Sequence, residues 1–253
     1  MAEHMMVNRR WIDKWLCSDA EELLEKDGAT PRGLAIMDEL NRAYRRTGLS
    51  ARLIDTIVSE SRRIHAVTGN TVRILEIGMR DGSLLGGICE VVKREQLPLD
   101  IHGVEFRSDL AALAKERLAA QGLPVQIHYD ASRNLNTFSS GDFDLVFSAF
   151  VLHHQAQCEL KQLLFASFRI SRNAVFHLDL TRSLWALALI WSFYTVFRYR
   201  ASRKDAVLSC RRAYRPDEIA AIMDELNIGD DIELTREFPL YWSLRRPFEG
   251  GAT

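Results

Sequence analysis

Residues 74–86 read ILEIGMRDGSLLG. The apolar run Ile74-Leu75-Glu76-Ile77 has the composition of a buried strand and ends on Gly78. A second glycine, Gly82, opens an apolar stretch with helical spacing. A strand that hands over to a helix through a glycine turn is the grammar of a ligand-binding α/β fold. Midway between the glycines stands Arg80. A dinucleotide fingerprint requires G-x-G-x-x-G; here the glycines fall as G-x-x-x-G, with Gly86 and Gly87 already in the helix. A P-loop requires G-K-[ST] after its glycines, which does not follow here. What remains is an acidic strand end, Glu76, followed by Gly78 and Gly82.

From residue 72 onward, short apolar runs alternate with helical ones. The patterns predict strands over 72–77, 100–105, 124–128, 143–148 and 172–179, and helices over 83–95, 108–121 and 157–169. Strands separated by helices imply crossover units and a parallel sheet covered on both faces. Ligands of such sheets lie at the carboxyl ends of the strands. There the sequence places Glu76, then Glu105 in Gly103-Val104-Glu105, then Asp130 in His128-Tyr129-Asp130. A carboxylate ending the second strand can accept both ribose hydroxyl protons, and one after the third can accept from an adenine amino group. No pyrophosphate has to be housed, so a phosphate-free adenosine ligand fits best.

The runs ILEIGMRDG, GVEFRSDLAALAKERL, HYDASRNL and FDLVFSAFVLHH resemble the class I S-adenosylmethionine-dependent methyltransferases. They are most similar to the branch with ubiquinone/menaquinone-biosynthesis enzymes and polyketide-cluster small-molecule methyltransferases. The resemblance covers residues 70–180 and extends more loosely to HLDLTRS and DAVLSCRRAYRPDEIAAIMDEL. It implies an α/β, Rossmann-like methyltransferase fold with a mostly parallel seven-stranded sheet and helices on both faces. It also implies S-adenosylmethionine as cofactor, with Glu76, Gly78 and Gly82 lining the methionine moiety. Glu105 would hold the ribose, Asp130 would lie near the adenine amino group, and Ser148 or Ala149 would line the floor. Family members usually carry glycine where Arg80 stands. A positive φ at Arg80 would then cost about 1 kcal/mol. Two outcomes stay open for its side chain: over the cofactor, paired with its carboxylate, or out in solvent.

The domain layout expected is an N-terminal helical cap over 1–68 and a methyltransferase domain over 69–253 with an inserted helix at 182–204. Residues 9–27 and 33–66 carry apolar positions at helical spacing, with Thr30-Pro31 as a break and Gly48-Leu49-Ser50 as a turn with an N-cap serine. Residues 231–246 alternate as two closing strands, a helix starts near Tyr214-Arg215-Pro216-Asp217, and the tail 249–253 is expected to be disordered. A formal net charge of -1 gives no global field for nucleic acid. Four widely spaced cysteines without a C-x-x-C pair read as reduced thiols, no metal is expected, and the charged N-terminus is no secretory signal, so a cytoplasmic protein is expected.

A sulfonium methyl is already an activated electrophile, so the protein must align the acceptor, exclude water and manage a hydroxyl proton. His153 and His154, directly after the fourth strand, are the candidate catalytic residues; His177 and Asp179 come next. Residues 184–197, LWALALIWSFYTVF, form the most apolar stretch, about 21 Å as a helix and too short for a bilayer. Three readings of it stay open: core packing, a lid whose Trp185, Trp191, Phe193 and Tyr194 wall an acceptor pocket, or peripheral membrane contact aided by Arg198, Arg200, Arg203 and Lys204. The expected function is methyl transfer to a small hydrophobic acceptor (phenol, quinone precursor or polyketide), on oxygen rather than carbon. The alternative is a catalytically impaired S-adenosylmethionine-binding protein with a regulatory or membrane-peripheral scaffold role. The oligomeric state is not legible.

Overall fold

The computed structural model describes residues 16–18, 20–192, 200–228, 231–237 and 239–250. Five strands run parallel: β1 (Val72–Ile77), β2 (Leu99–Glu105), β3 (Val125–Tyr129), β4 (Phe143–Ala149) and β5 (Ser171–Leu180). β6 (Glu233–Glu237) and β7 (Tyr241–Arg246) close one edge antiparallel, giving the order β3-β2-β1-β4-β5-β7-β6. The chain winds outward from β1 to β3, then returns to the other side of β1 with β4. The crevice at that reversal is where an open sheet of this kind binds its ligand.

The central strands read as continuous apolar runs because both of their faces are covered. Ile74, Leu145, Phe147 and Phe176 face α3 (Leu49–Thr68) and α4 (Ser83–Glu95). Their neighbours Leu75, Ile77, Val146 and Val175 face α6 (Gln157–Ile170) and α9 (Pro216–Glu225). A one-residue register slip would exchange the two sets, so the alternation fixes the register. α5 (Ser108–Ala120) connects β2 to β3.

Ahead of the sheet lie α1 (Leu23–Asp27) and α2 (Pro31–Arg46); after β5 come α7 (Leu184–Ser192) and α8 (Arg200–Arg212). The expected helix over 9–27 is helical at Leu23–Asp27, residues 20–22 are not helical, and Trp11 and Trp15 lie outside the described residues. Ser50 is not an N-cap: Gly48, at φ 74°, takes that position, and Ser50 lies inside α3. Thr30 does cap α2, accepting the Gly33 N–H, with Pro31 at the first helical position. In α7, Trp185 and Trp191 are exposed, while Ala186 is buried and Ile190 lines an apolar chamber. Phe193, Tyr194 and Arg198 lie outside the described residues. Among the described residues no helix is long and apolar enough to cross a membrane.

Candidate active site

The glycine turn after β1 is locked from both sides. Gly78, at φ 68°, donates its N–H to the Val104 carbonyl at 2.8 Å, and a β-carbon there would lie 2.6 Å from Val151 Cγ2. Asp81 is buried and accepts from Asn41 Nδ2 (2.9 Å), Ser83 Oγ (2.8 Å) and Arg117 Nη1 (2.6 Å). Between these anchors Arg80 takes φ 52°, a left-handed conformation that a β-carbon resists. Its N–H donates to Glu105 Oε2 at 2.8 Å, which holds the strained residue in place. The Arg80 guanidinium lies 5.7 Å from the centre of the Tyr44 ring, half-buried rather than projecting into solvent.

Glu76 is buried beneath this turn, and its Oε2 has no hydrogen-bond partner. Burial pushes its carboxyl up to about 8; Arg80 opposes that rise, while Asp81 and Glu105 add to it. An orphaned, buried acid at a strand end fits the ammonium of an amino-acid ligand, because a cation would both pair and ionise it.

The two other acidic strand ends are partly engaged. Glu105 is buried and accepts the N–H groups of Arg80, Phe106 and Arg107. Asp130 accepts from Ser132 N, Ser132 Oγ and Leu135 N, folding its own loop. A carboxylate offers about four acceptor positions, so each retains capacity for a ligand donor. Ser148 is fully buried and bonded to His177 Nδ1 at 2.7 Å; His177 Nε2 meets Ser167 Oγ at 3.0 Å. Burial holds His177 down at about 4, so this ring is neutral and serves the interior.

His153 and His154 stand at the exit of β4, their rings 4.0 Å apart. Asp179, at the end of β5, reaches His153 Nδ1 at 2.6 Å and also accepts the Leu152 and His153 N–H groups. His153 Nε2 faces Glu22 Oε1 at 3.5 Å, and His154 Nδ1 meets Glu25 Oε1 at 2.9 Å. Burial alone would depress His153, but Asp179 and Glu22 outweigh it and push the imidazole up to about 10. Burial raises Glu25, yet His154 and Arg212 prevail and bring it to about 2.

This pair separates two spaces. On one side is a polar cleft of about 640 Å³, bordered by Ala131, Ser132 and Arg133 after Asp130 and by Arg211 and Arg212. On the other is a chamber of about 140 Å³ lined by Leu24, Leu40, Tyr44, Phe150, Leu180 and Tyr241, with Arg80 at its wall. His153 and His154 line both.

Spacing did not reveal Glu22, Glu25, Tyr44 or Asp205. Asp205 accepts the N–H groups of Leu23 and Leu24 at 2.9 Å each, and Ser209 Oγ donates to Glu22 at 2.7 Å. These contacts join α1 to α8 across most of the chain, and no local pattern encodes them. Phe106, directly after Glu105, carries the Arg133 guanidinium 5.6 Å from its ring centre. Its place beside a ligand-facing acid was the one available signal.

Residues 74–174 match the family described as Methyltransferase domain. Among solved structures, the plantazolicin methyltransferase BamL, in complex with a triazolic desmethylPZN analog and SAH, is 11% identical at TM-score 0.64, over 88% of this chain and 94% of that one. The plantazolicin methyltransferase BpumL in complex with SAH is 13% identical at TM-score 0.61, over 94% and 96%. The citrinin polyketide synthase CMeT domain is 15% identical at TM-score 0.61, over 89% of this chain and 59% of that one. No curated protein matches the chain in sequence. The match over residues 74–174, taken with the sheet order and the crevice at its reversal, gives this chain a methyltransferase domain on a Rossmann-like α/β fold.

Proposed function

We propose that this enzyme methylates a hydroxyl oxygen on a small hydrophobic acceptor, a phenol, quinone precursor or polyketide. The observation that carries this reading is the His153–His154 pair, standing between a polar cleft and an apolar chamber. A chamber of about 140 Å³ is close to the size that holds a single benzene ring. Its lining of Leu24, Leu40, Phe150 and Leu180 favours an aromatic or alkyl body over a sugar.

S-adenosylmethionine supplies a methyl group on positively charged sulfur. Glu76, Gly78, Arg80 and Gly82 would hold its methionine end, with the orphaned Glu76 oxygen taking the ammonium. Glu105 would take the ribose and Asp130 the adenine amino group, each through its remaining acceptor capacity. Ser148 would support the floor from within rather than touch the ligand, since its hydroxyl is committed to His177. Asp179 orients His153 through Nδ1 and leaves Nε2 toward the acceptor. The acceptor oxygen would sit against the histidine pair, with His153, held protonated between Asp179 and Glu22, positioning it and His154 drawing off its proton. Leu24 and Tyr44 keep water from the reacting oxygen.

The test is incubation with isotope-labelled S-adenosylmethionine and a panel of phenols, quinols and polyketide phenols, read by mass spectrometry. One labelled methyl per acceptor, located on oxygen by fragmentation, is expected. Label found only on carbon would remove the oxygen reading.

A further inference from the structure

We propose that Glu22, His153 and His154 form a divalent-cation site, with Zn²⁺ the best-suited ion, that grips the acceptor oxygen. The grip rests on the methyl-transfer reading above; the site itself does not. One carboxylate oxygen of Glu22 and one imidazole nitrogen each of His153 and His154 lie within 4.8 Å of one another. Glu22 Oε1 is 3.5 Å from His153 Nε2 and 3.8 Å from His154 Nδ1. A zinc ion about 2.1 Å from each donor would set donors roughly 3.5 Å apart, so small side-chain rotations complete the set.

Two features beyond the donors point the same way. A metal-bound histidine almost always has its second nitrogen held by a carboxylate, and a ligating carboxylate is itself hydrogen-bonded. Asp179 holds His153 Nδ1 at 2.6 Å, which turns Nε2 toward Glu22 and the ion, its proton being the one the ion displaces. Ser209 Oγ holds Glu22 at 2.7 Å. Two imidazoles and one carboxylate, with further positions open to a cavity, is the composition of catalytic rather than structural metal sites. The open side here is the cleft that His153 and His154 line. Glu25, now on His154 Nδ1, would give up that nitrogen and keep its bonds to Arg212 and to the Glu22 N–H.

In the reaction, the acceptor hydroxyl would bind the cation and lose its proton to water in the adjoining polar cleft. The oxygen lone pair forms the new bond to the methyl carbon. The S–CH₃ bond breaks, and its electron pair stays on sulfur as a neutral thioether. No oxidant or reductant is required.

The test is titration of the full chain with Co²⁺, followed by visible absorption, with Zn²⁺ competition against a chromophoric chelator. One ion per chain and a visible ligand-field band displaced by Zn²⁺ are expected. His154→Ala and Glu22→Gln should each weaken Zn²⁺ at least about tenfold, and Asp179→Asn about 10–100-fold. Retained S-adenosylhomocysteine binding by calorimetry serves as the folding control. No band in wild type, or a band unchanged in both His154→Ala and Glu22→Gln, overturns the site and leaves an ion-pair cluster. Full methylation after chelator treatment overturns the cation's part in transfer. If Co²⁺ binds but no cofactor does, the methyl-transfer reading fails and the site stands.

Discussion

Asp205 accepts the Leu24 N–H at 2.9 Å, so a carboxylate in α8 caps the start of α1. The same carboxylate accepts the Leu23 N–H, and Ser209, one turn further along α8, donates to the Glu22 carboxylate. The short α1, one turn long, has little intrinsic stability. It persists over the cleft because α8 supplies its missing partners.

Asp205→Ala should therefore loosen α1 while leaving the sheet intact. Loss of such a cap costs about 1 kcal/mol. Hydrogen exchange followed by mass spectrometry should show faster exchange over residues 20–27, with strands β1 to β5 unchanged. Equal protection in the variant would show that α1 is held by its apolar contacts instead.

Arg80→Gly sets two effects against each other. It relieves a positive φ worth about 1 kcal/mol and removes a cation from the Tyr44 face worth about 0.5–1 kcal/mol. The melting temperature should barely move. S-adenosylhomocysteine affinity should fall about tenfold if the guanidinium pairs with the ligand carboxylate. Unchanged or tighter binding by calorimetry would remove that pairing.

Glu76 gives a pH dependence of definite sign. Its carboxyl titrates at about 8 in the fold and at its ordinary 4.5 when unfolded. Between those values the folded chain keeps a proton that the unfolded chain has lost, so its contribution to stability falls as pH rises from 4.5 through about 8. Glu76→Gln should flatten that slope and melt higher than wild type above pH 8. In the wild type, cofactor affinity should climb over the same window as the carboxylate ionises, and in Glu76→Gln it should not. A parallel pH profile for both proteins would rule out Glu76 as the ammonium's partner.

His154→Ala should lower kcat about 100-fold or more with cofactor affinity little changed, the range typical of a lost proton-handling group, and His153→Ala should slow turnover by removing the group that positions the acceptor. Asp179→Asn should also slow turnover, because it withdraws the carboxylate that orients the ring. Wild-type rates in both His153→Ala and His154→Ala would end the role of the pair.

The sheet was legible because parallel strands buried on both faces leave unbroken apolar runs, and the five from Val72 to Leu180 match expectation within a residue or two. The turn was legible for the same reason that Gly78 is required: a side chain there would strike Val151. The remainder depended on partners remote in sequence. Glu105 reads as a ligand acid from its place at the end of β2, yet its oxygens already hold Arg80, Phe106 and Arg107. Trp185 and Trp191 suggested an enclosed wall, but a uniformly apolar helix carries no periodicity to say which side faces inward, and both project outward. The Glu22 contact with the histidines comes from a segment whose position is set by α8.

The tie between Asp205 and Leu24 also orders events during translation. Strands β1 to β5 can emerge and assemble while α8 is still untranslated, but the segment around Glu22 then lacks the capping carboxylate and hydroxyl that α8 supplies. The nascent chain would first be a platform with a loosely held roof, which is made fast only once α8 has left the ribosome.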